Sequence, residues 1–361
     1  MVEKIALETL QQQLQRTGDF LSLTRKHEWS LASQFSFNVT HQTTNTHAKV
    51  TVLDTGIIVF EPINRATQKD IVLSSGVHGN ETAPIEICAK LVQQLILGEL
   101  PLAERVLFLF GNPAAMNIGE RFVEENMNRL FSGGHSIDQG QGAGLINKER
   151  HRALLLENTV RDFFEAGGSG EQRQRYHYDL HTAIRGAKYD KFAVYPHTHG
   201  QPRKKQQLQF LKACGVNTIL LSNSPTTTFS YFSARQFGAD AFTVELGKVK
   251  PFGENDMTQF VDVEQTLTRF ISGQEIELGN YDAKDFNIFV ISQIINRTHE
   301  NFKLNFADDV KNFTDFPVGE VLAYDGDNVI KAEQPGEAII FPNAHVAIGQ
   351  RALLTVIPTS I

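Results

Sequence analysis

Between residues 48 and 272 short apolar runs alternate with longer stretches whose apolar positions recur at helical spacing. Ile71-Val72-Leu73 ends at Ser74-Ser75-Gly76, and from Ile85 through Cys88, Leu91, Val92, Leu95 and Ile96 the period becomes helical. Val106 to Phe110, Tyr176 to Leu180, Lys191 to Tyr195, Thr218 to Leu221 and Ala241 to Leu246 read as further strands. Helices are expected near 147–166, 203–214 and 256–271. Strands that alternate with helices predict a mixed, mostly parallel sheet flanked by helices on both faces. Such α/β sheets place ligands at the carboxyl ends of their strands.

Around this block the pattern changes. Residues 1–47 read as a polar amphipathic helix followed by irregular chain, and Lys49 to Leu53 with Ile57 to Phe60 as a hairpin about Asp54-Thr55-Gly56. After about residue 272 the runs Glu275 to Leu278, Phe286 to Ile295, Val318 to Tyr324, Val329 to Lys331, Ala338 to Phe341 and Ala352 to Ile357 are short and separated by Gly, Asp and Pro. A small β-rich domain over 273–361 is expected, beside a catalytic domain over 48–272 and an N-terminal helical segment over 1–47. A formal charge of −7 argues against nucleic acid or an anionic membrane as the main partner. Met1 to Phe20 lacks the apolar core of a signal peptide, and no apolar run reaches the roughly 18 residues of a membrane span. With only Cys88 and Cys214, both on packing positions, the expectation is a cytoplasmic protein without a disulfide framework.

His78-Gly79-Asn80-Glu81 lies where the strand at 71–75 meets its helix. Pro84 suits the first helical turn, and a carboxylate is favoured at a helix start. Asp179-Leu180-His181 ends another strand, so His181 can emerge on the same sheet edge. Two imidazoles and one carboxylate with an open position form the ligand set of a catalytic zinc. Asp179, two residues back on the same side of its strand, could orient His181 as an outer partner or be a solvated strand-end acid. Glu245 ends a third strand, where an acid within an apolar run needs either a buried partner or a task as a proton acceptor.

Arginines are the second theme. Asn112-Pro113-Ala114 leads to Arg121-Phe122 and then to Asn128-Arg129-Leu130-Phe131, while Arg185 follows His181 and Arg235 precedes Glu245. Singly each fits a surface ion pair. Together, beside a dication in an acidic chain, they predict a cavity for a multiply anionic small molecule, because arginine suits bidentate carboxylate recognition. His197-Thr198-His199 follows Pro196 in an expected exposed loop. Serines lack the spacing of a nucleophile elbow.

Gly76 to Glu81, the 112–131 motif, Asp179-Leu180-His181-Thr182 and Val244-Glu245-Leu246-Gly247 together resemble the succinylglutamate desuccinylase/aspartoacylase family, a branch of the zinc carboxypeptidase-like hydrolases. Asp179 to Gly186, and the tail Ile340 to Asn343 with Val346 to Ala352, resemble the desuccinylase branch. The resemblance implies a zinc-carboxypeptidase-like fold and one zinc held by His78, Glu81 and His181. It implies Glu245 as general base and Arg121 as the group that polarises the scissile carbonyl. Asn128 and Arg129 would grip a carboxylate of the amino-acid portion, and Arg235 would contact substrate anion. Arg185 is added from charge and position, as a contact for a succinyl carboxylate. The implied reaction is hydrolysis of N-succinyl-L-glutamate to succinate and L-glutamate, in arginine breakdown. Other readings are deacylation of another N-acyl amino acid, trimming of a peptide carboxyl terminus, and a non-catalytic anion-binding α/β protein.

Overall fold

The computed structural model describes residues 9–138, 142–168 and 173–361. The glycine-rich stretches 140–144 and 167–170 lie partly outside these residues, as does the start of the N-terminal segment. Two short helices, α1 (Leu10–Thr17) and α2 (Phe20–Lys26), open the described chain. Three antiparallel strands follow: β1 (Phe35–Thr40), β2 (His47–Asp54) and β3 (Ile57–Pro62). Next come β4 (Lys69–Ser75), α3 (Thr82–Ile96), β5 (Arg105–Phe110), α4 (Pro113–Ile118), α5 (Lys148–Ala166) and β6 (Gln174–Ala183). Then follow β7 (Phe192–Tyr195), α6 (Lys205–Ala213), β8 (Thr218–Leu221), α7 (Phe229–Phe237), β9 (Asp240–Lys248) and α8 (Val261–Ser272). The last part contains β10 (Asn287–Asn296), β11 (Lys303–Leu304), β12 (Val321–Asp325), β13 (Asn328–Lys331), β14 (Ala338–Ile340) and β15 (Arg351–Pro358).

Twelve strands form one mixed sheet in the order β1-β2-β3-β5-β4-β6-β9-β7-β8-β10-β15-β14, and β11, β12 and β13 form a second. Parallel pairing fills the middle, where β5, β4, β6 and β9 lie side by side. Alternation along β4 sends Ile71 and Leu73 into the core shared with Ile85, Cys88, Leu91 and Val92 of α3. Val72 points the other way, into the core formed with Leu156, Val160 and Phe164 of α5. Both faces are therefore covered, as period-2 geometry requires of a buried parallel strand.

Several elements differ from expectation, among them β1, α7 and the run at 275–278. β1 occupies chain expected to be irregular, because its inward positions are few: Phe37 is buried while Ser36, Asn38 and Thr40 are exposed. α7 was not anticipated; its phenylalanines and serines carry weak helix preference, and tertiary packing of Phe229, Tyr231 and Phe232 imposes the helix. Glu275 to Leu278 finds no ladder partner among the described residues, although Ile276 and Leu278 pack against the main core. The main sheet also runs on into the C-terminal part, since β10 pairs in parallel with β8. Cys88 and Cys214 are buried, free thiols.

Candidate metal centre and anion site

The edge at the carboxyl ends of β4, β6 and β9 is built from close backbone approaches. At Gly76 φ is +64°, and an added Cβ would lie 2.1 Å from the Met116 side chain. At Gly79 an added Cβ would meet the Ala115 and Met116 backbone at 2.2–2.3 Å. These two glycines let the loop carrying His78 lie flat against α4. Glu81 is the residue at the N-cap of α3.

His78, Glu81 and His181 are all buried, and one potential ligand atom from each lies within 4.8 Å of the others. The Nδ1 atoms of His78 and His181 stand 2.9 and 2.8 Å from the two Glu81 oxygens. The outer nitrogens are already engaged. His78 Nε2 donates to Asn126 Oδ1 at 2.9 Å, and His181 Nε2 to Asp179 Oδ2 at 2.8 Å. His78 Nδ1 is buried and, despite its approach to Glu81, makes no hydrogen bond of acceptable geometry. Fixed outer N–H groups and inward-facing Nδ1 atoms are what metal-binding imidazoles require. The donor set fits a metal ion.

Asp179 belongs to a longer buried chain. Ser74 Oγ donates to Asp179 Oδ1 at 2.5 Å, which leaves its oxygen to accept His177 Nε2 at 2.8 Å; His177 Nδ1 then accepts Ser233 Oγ at 2.7 Å. Burial lowers the His177 pKa to about 4, in keeping with a neutral ring. Asp179 is thus a fully bonded buried acid, not a solvated strand end. Asn126→Ala or Asp179→Asn should weaken metal binding about 10- to 100-fold. Competition with a chelator of known affinity would measure this, and an unchanged constant would remove the outer partner from the design.

Burial opposes ionisation of Glu81, but His78, His181 and Arg121 together hold its carboxyl well below the usual range. Burial and Arg121 push His78 down to about 4, leaving a neutral ring able to ligate. Burial also disfavours charge on His181, yet Asp179 and Glu81 raise it well above its ordinary value. A ring flanked by two carboxylates attracts a cation, which a metal ion can supply in place of the proton.

Glu245 lies beside His181 in the parallel ladder between β6 and β9. Its Oε2 is buried without a hydrogen-bond partner. Burial and the Glu81 charge raise its pKa to about 7. No buried ion pair engages that oxygen, so the arrangement suits a proton acceptor.

Arg121 Nη1 donates to Glu81 Oε1 at 2.6 Å, against the cluster. Asn128 Oδ1 accepts Phe229 N at 3.1 Å, which anchors the start of α7. Arg129 Nη1 donates to the Asn128 carbonyl at 2.9 Å. Arg185 and Arg235 differ from these. Arg185 Nη1 donates to the Ala307 and Val310 carbonyls at 3.4 and 3.0 Å, bridging to the C-terminal part. Arg235 is exposed on the last turn of α7, where a cation offsets unpaired helix carbonyls. No described contact brings either to the cluster. His197 and His199 meet edge to face with ring centroids 4.5 Å apart, and they belong to no metal-ligand cluster among the described residues.

Sequence reasoning did not find Asn126 or the scaffold behind its loop. Glu149, in the first turn of α5, accepts Asn112 Nδ2 and Val123 N at 2.7 Å on one oxygen. Its other oxygen accepts Glu124 N at 2.7 Å and Glu125 N at 2.6 Å. Buried Arg150 clamps Glu125 through Nε at 2.7 Å and Nη2 at 3.0 Å. Only an ordinary acidic first helical turn marks Glu149 in the sequence.

Comparison with known proteins identifies the family. Residues 67–271 match the model of the succinylglutamate desuccinylase/aspartoacylase catalytic domain, and 284–359 that of the AstE/AspA barrel-sandwich hybrid domain. The chain belongs to the succinylglutamate desuccinylase/aspartoacylase family and is a hydrolase of that family. It is 54% identical over 340 residues to a succinylglutamate desuccinylase of Idiomarina loihiensis, covering 94% of this chain and 96% of that one. Over 342 residues it is 50% identical to a protein of that name from Shewanella piezotolerans, covering 95% and 96%. The crystal structure of succinylglutamate desuccinylase from Vibrio cholerae superposes with a TM-score of 0.81 at 35% identity, covering 94% of each chain.

Proposed function

We propose that this chain is a zinc-dependent amidohydrolase that cleaves N-succinyl-L-glutamate to succinate and L-glutamate, a step of arginine breakdown. The carrying observation is the convergence of His78, Glu81 and His181, with Glu245 alongside them. Relatives named succinylglutamate desuccinylase, similar along nearly the whole chain, support the choice of substrate.

His78, Glu81 and His181 would hold the zinc, which when bound supplies a Lewis acid that brings the pKa of water down to about 7. Glu245 accepts a proton from the attacking water. The same carboxyl returns it to the amide nitrogen as the C–N bond breaks, so the amine leaves uncharged by the cleavage itself. Arg121 faces the carbonyl oxygen as negative charge develops there, an effect typically worth about 3–4 kcal/mol. Asn128 offers its amide N–H groups, and Arg129 its guanidinium, to a carboxylate of the glutamate portion. We place the catalytic work in residues 48–272, beside a β-rich domain over 273–361. A cytoplasmic location is supported by two free buried thiols, and no helix among the described residues is long and apolar enough to cross a membrane.

Metal content and a substrate panel test the reading together. The purified protein should carry one zinc per chain and prefer N-succinyl-L-glutamate over N-acetyl-L-aspartate and over peptides. Chelation should abolish turnover and zinc should restore it. Equal rates across the panel would refute the substrate, and full activity after complete metal removal would refute the centre.

A further inference from the structure

A third arginine, Arg351 of the C-terminal part, is electrostatically coupled to Arg121 and Arg129. Arg351 opens β15 and pairs across the ladder with Asn296. Its Nε is buried and has no hydrogen-bond partner. Its guanidinium lies over the Phe341 ring, 5.6 Å from the centroid, a contact that fixes the plane of the cation.

That platform is itself held under constraint. Phe341 has φ of +51°, a left-handed conformation that is rare for a bulky residue and persists only where its surroundings enforce it. Here the enforcement comes from buried Asn312. Its Oδ1 accepts Phe341 N at 2.9 Å, its N donates to Gly186 O at 2.9 Å, and its carbonyl accepts Lys188 N at 2.9 Å. The loop that follows His181 is thereby tied to the residue beneath Arg351.

The cations also sense one another. Burial, then Arg351 and Arg121, hold Arg129 well below the usual guanidinium range. Burial, then Arg121, push Arg351 down to about 10. Burial is the larger cause for both, and the charged neighbours acting on each are other guanidiniums, so the region repels further cations and is matched to an anion. A buried donor without a partner, mounted on a strained platform, is expected where a ligand supplies the missing acceptor.

We propose that Arg351, acting with Arg129, binds a carboxylate of the substrate's glutamate portion, so that the C-terminal domain supplies part of the specificity pocket. This assignment rests on the function proposed above. It accounts for why a small β domain is fastened to the loop beyond the metal ligand.

Arg351→Met preserves the apolar stem over Phe341 and removes the charge. It should raise KM for N-succinyl-L-glutamate about 10- to 100-fold, the range expected for one charge-assisted pair, and by more than it lowers kcat. Inhibition by L-glutamate should weaken similarly, while inhibition by succinate should move less than about threefold. Arg351→Lys should recover part of the loss, because it keeps the charge without the bidentate fork. Thermal melting of both variants guards against misfolding. Unchanged KM and glutamate inhibition, or weakening of succinate in place of glutamate, would overturn the assignment. Calorimetric titration of L-glutamate into the zinc-loaded wild type and variant separates the two claims. Failure of the wild type to hydrolyse N-succinyl-L-glutamate counts against the proposed function, whereas equal glutamate affinities count against Arg351.

Discussion

Glu245→Gln should lower kcat about 10²- to 10⁴-fold while the protein retains its metal. The amide is close to the carboxylate in size but has no basic oxygen to accept a proton. Glu245 is not one of the three convergent ligand residues. Its Oε2 is buried and unpaired, so the substitution breaks no hydrogen bond made by that atom. Burial and the charge of Glu81 place its carboxyl at about 7, a value suited to exchanging protons near neutrality. The active form is ionised, so turnover should fall as pH drops through its pKa and hold above it. A cation on the neighbouring ligands favours ionisation and moves this acid limb below 7. Metal analysis alongside steady-state kinetics checks the expectation. Wild-type turnover would remove Glu245 from the chemistry, and loss of metal would make it a ligand.

The second large effect lies away from the reacting atoms. Glu149→Gln should destabilise the protein by roughly 2–4 kcal/mol and also reduce kcat/KM, because one carboxylate organises the loop that carries the site. Its two oxygens accept four donors, three of them the consecutive amides of Val123, Glu124 and Glu125. Glutamine replaces one acceptor by an NH2 group, leaving buried donors without a partner at about 1–3 kcal/mol each. Arg121, Asn126, Asn128 and Arg129 are all set by the path of this loop. A displacement of about 1 Å can lower rate by about a hundredfold. Thermal denaturation and kcat/KM measured on the same preparation check both halves. An unchanged melting temperature would show that the loop is held by Arg150 and Glu125 alone.

Legibility of the site followed its distance from the chain's own periodic pattern. His78, Glu81, His181 and Glu245 could be placed together because each ends or follows a strand in a strand–helix series, and parallel strands deliver such positions to one edge. Arg185 is assigned to the same edge by charge and position, and Arg235 by the family resemblance. Charge carries no direction: Arg185 donates to two carbonyls beyond residue 306, and Arg235 is exposed on the last turn of α7. Asn126 carried no signal, since an asparagine two residues before Asn128 looks like any loop amide until His78 is found against it. Arg351 was part of a recognisable tail, but its relation to Arg121 and Arg129 depends on a strand that joins the sheet at its far side.

By itself the sequence determined the α/β layering, the covered faces of β4, the edge where chemistry could gather and the residues able to ligate a metal there. These rest on local periodicity and on the types of side chain at strand ends. Tertiary structure alone decided that β10 extends the main sheet, that α7 is a helix, and that Glu149 holds the arginine loop from behind. It also decided that the guanidinium of Arg351 on β15 lies over Phe341 with its Nε buried and unpaired. Each of these depends on contacts between segments far apart in the chain, where the free energy of packing and of buried hydrogen bonds overrides local preference.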